Sequence, residues 1–365
     1  MGDCVPKSGG VFNGSVQIKL VGGISVDLFR VQVEEDRLHP NFINVSKDRD
    51  LVKVLNTWAI GFHDRDNKFA KEFQTTFNTA FWELYLHACF SNLGFKMDYS
   101  YSSPDFVVET RKKKLEMVIE AVSTRHADDG TPEYDRINAI DEMFKNGDIE
   151  DTVLYDEIVH IATERISNSI RNKVNKYHIN YSKLDHVKGK PFILAIGSFE
   201  QPFFYSQGIG AIEKVLYGLV KAEYRANVPY FDYSDSIIKR KSGEQIPVGL
   251  FNDPKFSFIS GILFSPVASI GKVRALSLNK KKSVYFNTYT YNDYDTKAEI
   301  KMIPHKKYRE SLLDGLSLYL NPYADNPIDS TEFDNRDIAK VYSNDSREIK
   351  HGFLYSRTVN GIQSF

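Results

Sequence analysis

The sequence predicts an α/β fold with a mixed central sheet flanked by helices. Three observations predict it. A helical apolar stripe runs from Phe69 to Leu93, and two short apolar runs centred on Val107 and Val118 follow it. A second helical stripe, from about Tyr155 to Tyr177, then leads into the continuous apolar run "KPFILAIGSF". Helix, three strands, helix and strand in that order place antiparallel and parallel neighbours in one sheet.

Each element has its own signal. In the first helix Phe69, Phe73, Phe77, Phe81 and Tyr85 recur every four residues, Trp82, Tyr85, Leu86, Cys89 and Leu93 form a second line, and Gly94 supplies the C-cap. "GFKMDYSY" reads as a strand, and residues 102–123, "SSPDFVVETRKKKLEMVIEAVS", as two more joined by a basic turn. Residues 127–151 are polar with a weakly helical middle and read as an inserted surface segment. The second helix carries Ile158, Ile161, Ala162, Ile166, Ile170 and Val174 at helical spacing. The unbroken apolar strand after it suits a sheet centre covered on both faces. Beyond Gly208 the pattern predicts a helix from Ile212 to Tyr224. C-terminal strand additions are expected near Phe256 to Leu263, Val273 to Leu278 and Ser283 to Tyr291, followed by the Pro- and Asn-rich "LYLNPYADNPID". The expected organisation is an N-terminal extension over residues 1–50, with a short hairpin or edge strands over residues 8–36, where Val16, Ile18 and Leu20 alternate among glycines. One domain over 51–345 follows, its core at about 69–200, and then a polar tail over 346–365.

Composition narrows the function classes. A chain of 365 residues, 42% hydrophobic and 26% charged, can bury a sizeable core. Its two cysteines, Cys4 and Cys89, do not make a disulfide framework, which suits a reducing, cytoplasmic setting. No apolar run approaches the ~20 residues that span a bilayer, and "MGDCVPKSGG" lacks a secretory pattern, so no membrane partner is expected. With a net charge of −1, any nucleic acid would have to be held by local basic patches. Candidates are "RKKK" at 111–114, "KRK" at 239–241, "KKK" at 280–282 and "HKK" at 305–307, of which at least two would need to line one groove. The nine histidines show no metal-binding pair on a helix face, and no serine or cysteine sits in a nucleophile elbow.

The chemistry concentrates in residues 102–123. Glu120 lies among Val118, Ile119, Ala121 and Val122, where an ionised carboxylate must be compensated by cations or hydrogen bonds. Strand alternation puts Glu116, Val118, Glu120 and Val122 on one face, and Asp105 opens the neighbouring strand after Pro104, which loosens the ladder. Two carboxylates on adjacent strands can converge on a hard cation. Asp105, Glu120 and the carbonyl of Ala121 would form half a shell for Mg²⁺ or Mn²⁺. Such an ion neutralises the buried charge, polarises a phosphate and lowers the pKa of an attacking water. Glu83, beside the apolar stripe of its helix, would orient a second metal or a water ligand. The alternatives are structural: a turn aspartate after proline, an ion pair from Glu120 to Arg125 or Arg165, and an ordinary helix glutamate.

Glu83 in "FWELYLH", Pro104 and Asp105 in "SPDFVV", and Glu120 in "VIEAVS", with the acidic pair 15 positions apart, resemble the motif of the restriction-endonuclease-like superfamily, the PD-(D/E)XK nucleases. The "WELYL", "PDF", "EA" and "NPYA" elements also resemble those of a group of uncharacterised bacterial proteins, over about Phe69 to Asp329. The resemblance implies an α-β-β-β-α-β core and a magnesium-dependent endonuclease that hydrolyses phosphodiester bonds, in DNA before RNA. A role in bacterial defence or DNA processing and a homodimeric assembly are further expectations. One departure stands out. Such nucleases usually carry a lysine two residues after the second acid, and here that residue is Val122. In some members the lysine comes from the following helix, which nominates Lys173 or Lys176 of "RNKVNKY"; otherwise both belong to a solvated helix end. The missing strand lysine defines the alternative: an inactive nuclease-like scaffold that serves as a nucleic-acid-binding or protein-interaction module.

Overall fold

The computed structural model describes residues 26–139, 151–225, 228–292, 298–343 and 346–361. Of residues 8–36, expected as a short hairpin or edge strands, residues 8–25 lie outside the described residues, and 26–36 are turns, irregular backbone and the start of a 3-10 helix (Glu35–Arg37) rather than strand. Residues 140–150 of the inserted segment also lie outside the described residues. The architecture is mixed α/β, with a large mixed sheet between helical layers.

Helix α1 (Pro40–Ser46) begins with proline at its first turn, where no N–H is needed, and His39 Nδ1 accepts from the Asn41 N–H. Helix α2 (Arg49–Trp58) is capped by Asp48. The stripe from Phe69 to Leu93 forms two helices, α3 (Phe69–Thr75) and α4 (Phe77–Leu93), because Thr76 leaves helical geometry at φ −123° and ψ 50°. The phenylalanine line survives the break: centroids of Phe69 and Phe73, Phe73 and Phe77, and Phe77 and Phe81 lie 6.4, 4.9 and 5.4 Å apart. Gly94 ends α4 in the left-handed region at φ 76°.

Strands β1 (Lys96–Asp98), β2 (Phe106–Glu109) and β3 (Glu116–Ser123) follow, then α5 (Asp151–Ile179) and β4 (Phe192–Gly197). Next come α6 (Gly210–Tyr217), the hairpins β5 (Leu219–Arg225) with β6 (Val228–Tyr233) and β7 (Ser236–Ile238) with β8 (Gln245–Pro247), strand β9 (Gly261–Ser265) and α7 (Ile270–Leu276). The chain closes with β10 (Val284–Thr290), β11 (Glu299–Pro304), β12 (Leu316–Leu320), β13 (Ile338–Val341), β14 (Arg347–Glu348) and β15 (Leu354–Gly361). The main sheet has the order β1-β2-β3-β4-β9-β12-β13-β14, and a three-stranded sheet has the order β11-β10-β15. Parallel pairing joins β3 to β4 and β4 to β9, and every residue of β4 is buried, as its apolar run requires. One face of the sheet, with Met117, Ile119 and Ala121, packs on α1 to α4. The other, with Val118 and Val122, packs on Ile166 and Ile170 of α5 and on α6.

Four expectations need correction. The helix from Ile212 stops at Gly218, which takes φ 72°, and Leu219–Arg225 is strand β5 rather than more helix. Val273 to Leu278 is not a strand. Its alternating apolar residues mimic one, but Arg274 bonds Asp48 at the start of α2 and Lys272 turns inward to Glu310, contacts that α7 makes as a helix. The boundary at residue 50 cuts through packed structure, since Leu28, Phe42 and Val45 belong to the main core. Residues 346–361 are no tail: β14 pairs with β13, β15 pairs with β10, and Arg357 is 2% exposed. That last segment looks polar because, beside the buried Phe353 and Leu354, it buries an arginine, Arg357, held by an ion pair to Glu310 at 2.9 Å.

Candidate active site

The register of β2 against β3 decides where the acids meet. Phe106 lies opposite Ile119 and Val107 opposite Val118, so Asp105, the residue before β2, comes to the margin of β3 at Glu120 and Ala121. Asp105 Oδ2 accepts from the backbone N–H of Ala121 at 2.7 Å, which ties the residue to β3 just before β2 begins. The Ala121 N–H and C=O point to the same side of their strand, so the carbonyl also faces this margin beyond Phe106.

Glu120 is 1% exposed, and the structure supplies the compensation such burial demands. Lys173 Nζ stands 2.6 Å and Lys176 Nζ 3.0 Å from Oε1, while the Tyr181 hydroxyl donates to Oε2 at 2.8 Å. The lysines are one turn apart on α5 and so share a face. Lys176 Nζ also lies 4.7 Å from the centre of the Tyr181 ring. Neither Arg125 nor Arg165 pairs with Glu120: Arg165 donates to the carbonyls of Arg125 and His126. Val122, where a strand lysine was expected, is buried against α5, the helix that brings Lys173 and Lys176 from above.

Glu83 approaches from the other side of the sheet. Thr79 Oγ1 and Ser123 Oγ are 2.7 Å apart, and Glu83, one turn further along α4, advances along β3 toward Ala121. Burial pushes its carboxyl up to about 8, with the Asp105 charge next in effect and Arg65 opposing. Asp105 is pushed up to about 7, first by burial and then by Glu120, against the pull of Lys173 and the Ala121 N–H. Burial alone would also raise Glu120, but Lys173 and then Lys176 and Tyr181 outweigh it and hold that carboxyl below its ordinary range. Two acids that resist ionisation therefore sit beside one that is firmly ionised.

This division bears on metal binding. Both Glu120 oxygens are engaged by the chain, whereas Asp105 Oδ1 and the Glu83 carboxyl make no hydrogen bond among the described residues. Among the described residues no group of three His, Cys, Asp or Glu side chains is arranged to hold a metal ion. The donors fit a largely hydrated Mg²⁺, which needs only one or two carboxylates, and not a dedicated protein cage.

Other sequence signals resolve into structure. The Lys112 ammonium donates to the Thr331 carbonyl and lies 3.7 Å from Asp334, Lys113 pairs with Asp329, Arg240 with Glu157, Lys241 with Asp129, and Lys281 with Asp48. Much of the basic charge is thus spent within the chain. The "NPYA" element begins with a buried Asn321, whose amide bonds the carbonyls of Phe256 and Ile259. Cys89 is free and buried, and burial pushes its thiol up to about 12. No described helix is long and apolar enough to cross a membrane. Tyr181 was missed by sequence reasoning, since a tyrosine in a short turn two residues after a helix carries no pattern. Lys173 did carry one, because it continues the Ile166 and Ile170 stripe onto the sheet-facing side of α5. Comparison of the chain with protein-family models, with curated proteins and with solved structures finds no match.

Proposed function

We propose that the chain is a metal-dependent nuclease with a restriction-endonuclease-like core formed by α4, β1, β2, β3, α5 and β4, acting on DNA in preference to RNA. The observation that carries this reading is the meeting of Asp105, Glu120 and Lys173 at one strand margin, with the cation delivered from the helix. In this reading Asp105, with Glu83 beside it and the Ala121 carbonyl at hand, holds Mg²⁺ or Mn²⁺. The bound ion would supply Lewis-acid polarisation of a phosphate and a more acidic water. Glu120 keeps Lys173 and Lys176 at the site. Lys173, 25% exposed, is placed to turn an ammonium hydrogen toward charge developing on a phosphate oxygen.

The test is cleavage of plasmid and of single-stranded oligonucleotides with Mg²⁺, Mn²⁺ or EDTA. Asp105→Ala and Lys173→Met should each lower the rate by about 10²-fold or more. Metal-independent cleavage, or cleavage indifferent to Asp105→Ala, rules the reading out.

A second reading is a catalytically inactive scaffold that binds nucleic acid or protein. It is favoured by the engagement of both Glu120 oxygens within the chain and by Val122 in place of a strand lysine. Retained nucleic-acid binding with no cleavage under any metal selects it.

A further inference from the structure

A cleft of about 430 Å³ opens beyond the carboxyl ends of β4 and β9, between the first turns of α1 and α4 and the segments that follow those two strands. Parallel strands ending at one margin with their connections diverging commonly leave such a crevice for a ligand. Two of its buried side chains present hydrogen-bonding atoms that the chain does not use. Arg357, 2% exposed, spends Nε on Glu310 and Nη2 on the Val267 carbonyl, while Nη1 bonds nothing among the described residues. Glu133, 6% exposed, receives Asn41 Nδ2 at 2.9 Å and Asn78 Nδ2 at 2.7 Å on the same Oε1, Asn41 Nδ2 also donates to Asn78 Oδ1 at 3.2 Å, and Glu133 Oε2 takes no side-chain hydrogen bond among the described residues. Gly271 makes room for the guanidinium: a Cβ there would lie 1.9 Å from Arg357 Nη1. At the mouth Arg136 lies over the Tyr205 ring, 5.4 Å from its centre, with no carboxylate partner among the described residues. Phe77 and Phe199 add aromatic walls.

An unspent guanidinium nitrogen and a second arginine call for an anion. An unspent carboxylate oxygen flanked by two amides calls for a group with both donors and acceptors, such as the edge of a base, and the aromatic lining suits its ring. We propose that this cleft binds a mononucleotide, phosphate toward Arg136 and Arg357 and base toward Glu133, Asn41 and Asn78. Glu83, Asp105, Glu120, Lys173 and Lys176 are not among the residues that line the cleft, so the proposal does not rest on the nuclease reading.

The test is calorimetric titration of the full chain, without divalent metal, with adenosine, guanosine, cytidine and uridine monophosphates, the four nucleosides, inorganic phosphate and a single-stranded oligonucleotide. At least one mononucleotide should bind one to one, about ten-fold or more tighter than its nucleoside or phosphate alone. Arg136→Ala, an exposed change that leaves the core intact, should weaken it about ten-fold, Arg357→Lys should also weaken it, and Asp105→Ala should leave it unchanged. The proposal is overturned if no mononucleotide binds at about 1 mM. It also fails if phosphate or nucleoside binds equally well, if only the oligonucleotide binds, or if Arg136→Ala binds as wild type.

Discussion

Removing the cations that surround Glu120 tests the centre of the site. Lys173 is 25% and Lys176 42% exposed, so water screens the second pair more than the first. Lys173→Met should cost about 2 kcal/mol of stability and Lys176→Met about 1 kcal/mol or less. The double variant leaves the 1%-exposed Glu120 carboxylate with only the Tyr181 hydroxyl, and should cost about 3–5 kcal/mol, the range for a buried charge deprived of its partners. Glu120→Gln in the double-variant background should recover much of that loss, because the amide needs no counter-charge. The assay is urea denaturation of wild type and the four variants at pH 7.5, repeated at lower pH. The sign of the pH effect follows from the depressed folded-state pKa of Glu120: the stabilisation by the lysines is present above the unfolded glutamate pKa of about 4.3 and is lost as pH falls through the depressed value. The deficit of the double variant should therefore shrink as the medium becomes acidic. A double variant within about 0.5 kcal/mol of wild type at pH 7.5, or a deficit that grows on acidification, refutes the reasoning.

The other two acids give the opposite slope. Asp105 and Glu83 are raised to about 7 and about 8, so the folded chain holds protons that the unfolded chain has lost, and stability should fall as pH rises from about 5 toward 8. Asp105→Asn together with Glu83→Gln should flatten that fall, as thermal unfolding against pH would show. Mg²⁺ or Mn²⁺ should raise the melting temperature more at pH 8.5 than at pH 5.5 and release protons on binding, readable in buffers of different ionisation heat; an equal shift at both pH values argues against carboxylate ligation by these residues. Gly197→Ala would place a Cβ 2.6 Å from the Trp82 ring, whose Nε1 donates to the Ala195 carbonyl at 2.9 Å, so it should cost about 1–3 kcal/mol in urea denaturation by displacing α4.

Much of the framework was legible because it is local. The 3.6-residue stripes gave α4 and α5, the unbroken run gave β4 as a buried strand, Gly94 gave a helix end, and the order of these elements implied a mixed sheet between helices. The site acids were legible for a similar reason: a glutamate inside an apolar strand and an aspartate after a proline stand out against their neighbours. Short segments were misread where two periods fit equally well, as in "KVRALSL", where the contacts of Lys272 and Arg274 accompany the helix. The terminal segments were misread because burial there depends on distant partners, Arg357 being sealed into the core by Glu310, 47 positions away.

Sequence alone determined which residues bear charge in an apolar setting, and therefore that Glu120 required compensation. Only the tertiary structure decided what compensates it. Lys173, Lys176 and Tyr181 lie 53 to 61 positions beyond Glu120, and no periodicity links a strand residue to a helix that crosses over it. Register and packing do so, because the pairing of β3 with β4 and the docking of α5 through Ile166 and Ile170 fix where that helix ends relative to the carboxylate. The same contacts divide the acids into one whose pKa is lowered by its cations and two whose pKa values are raised by burial, a division that depends on distances between side chains and on exclusion of water.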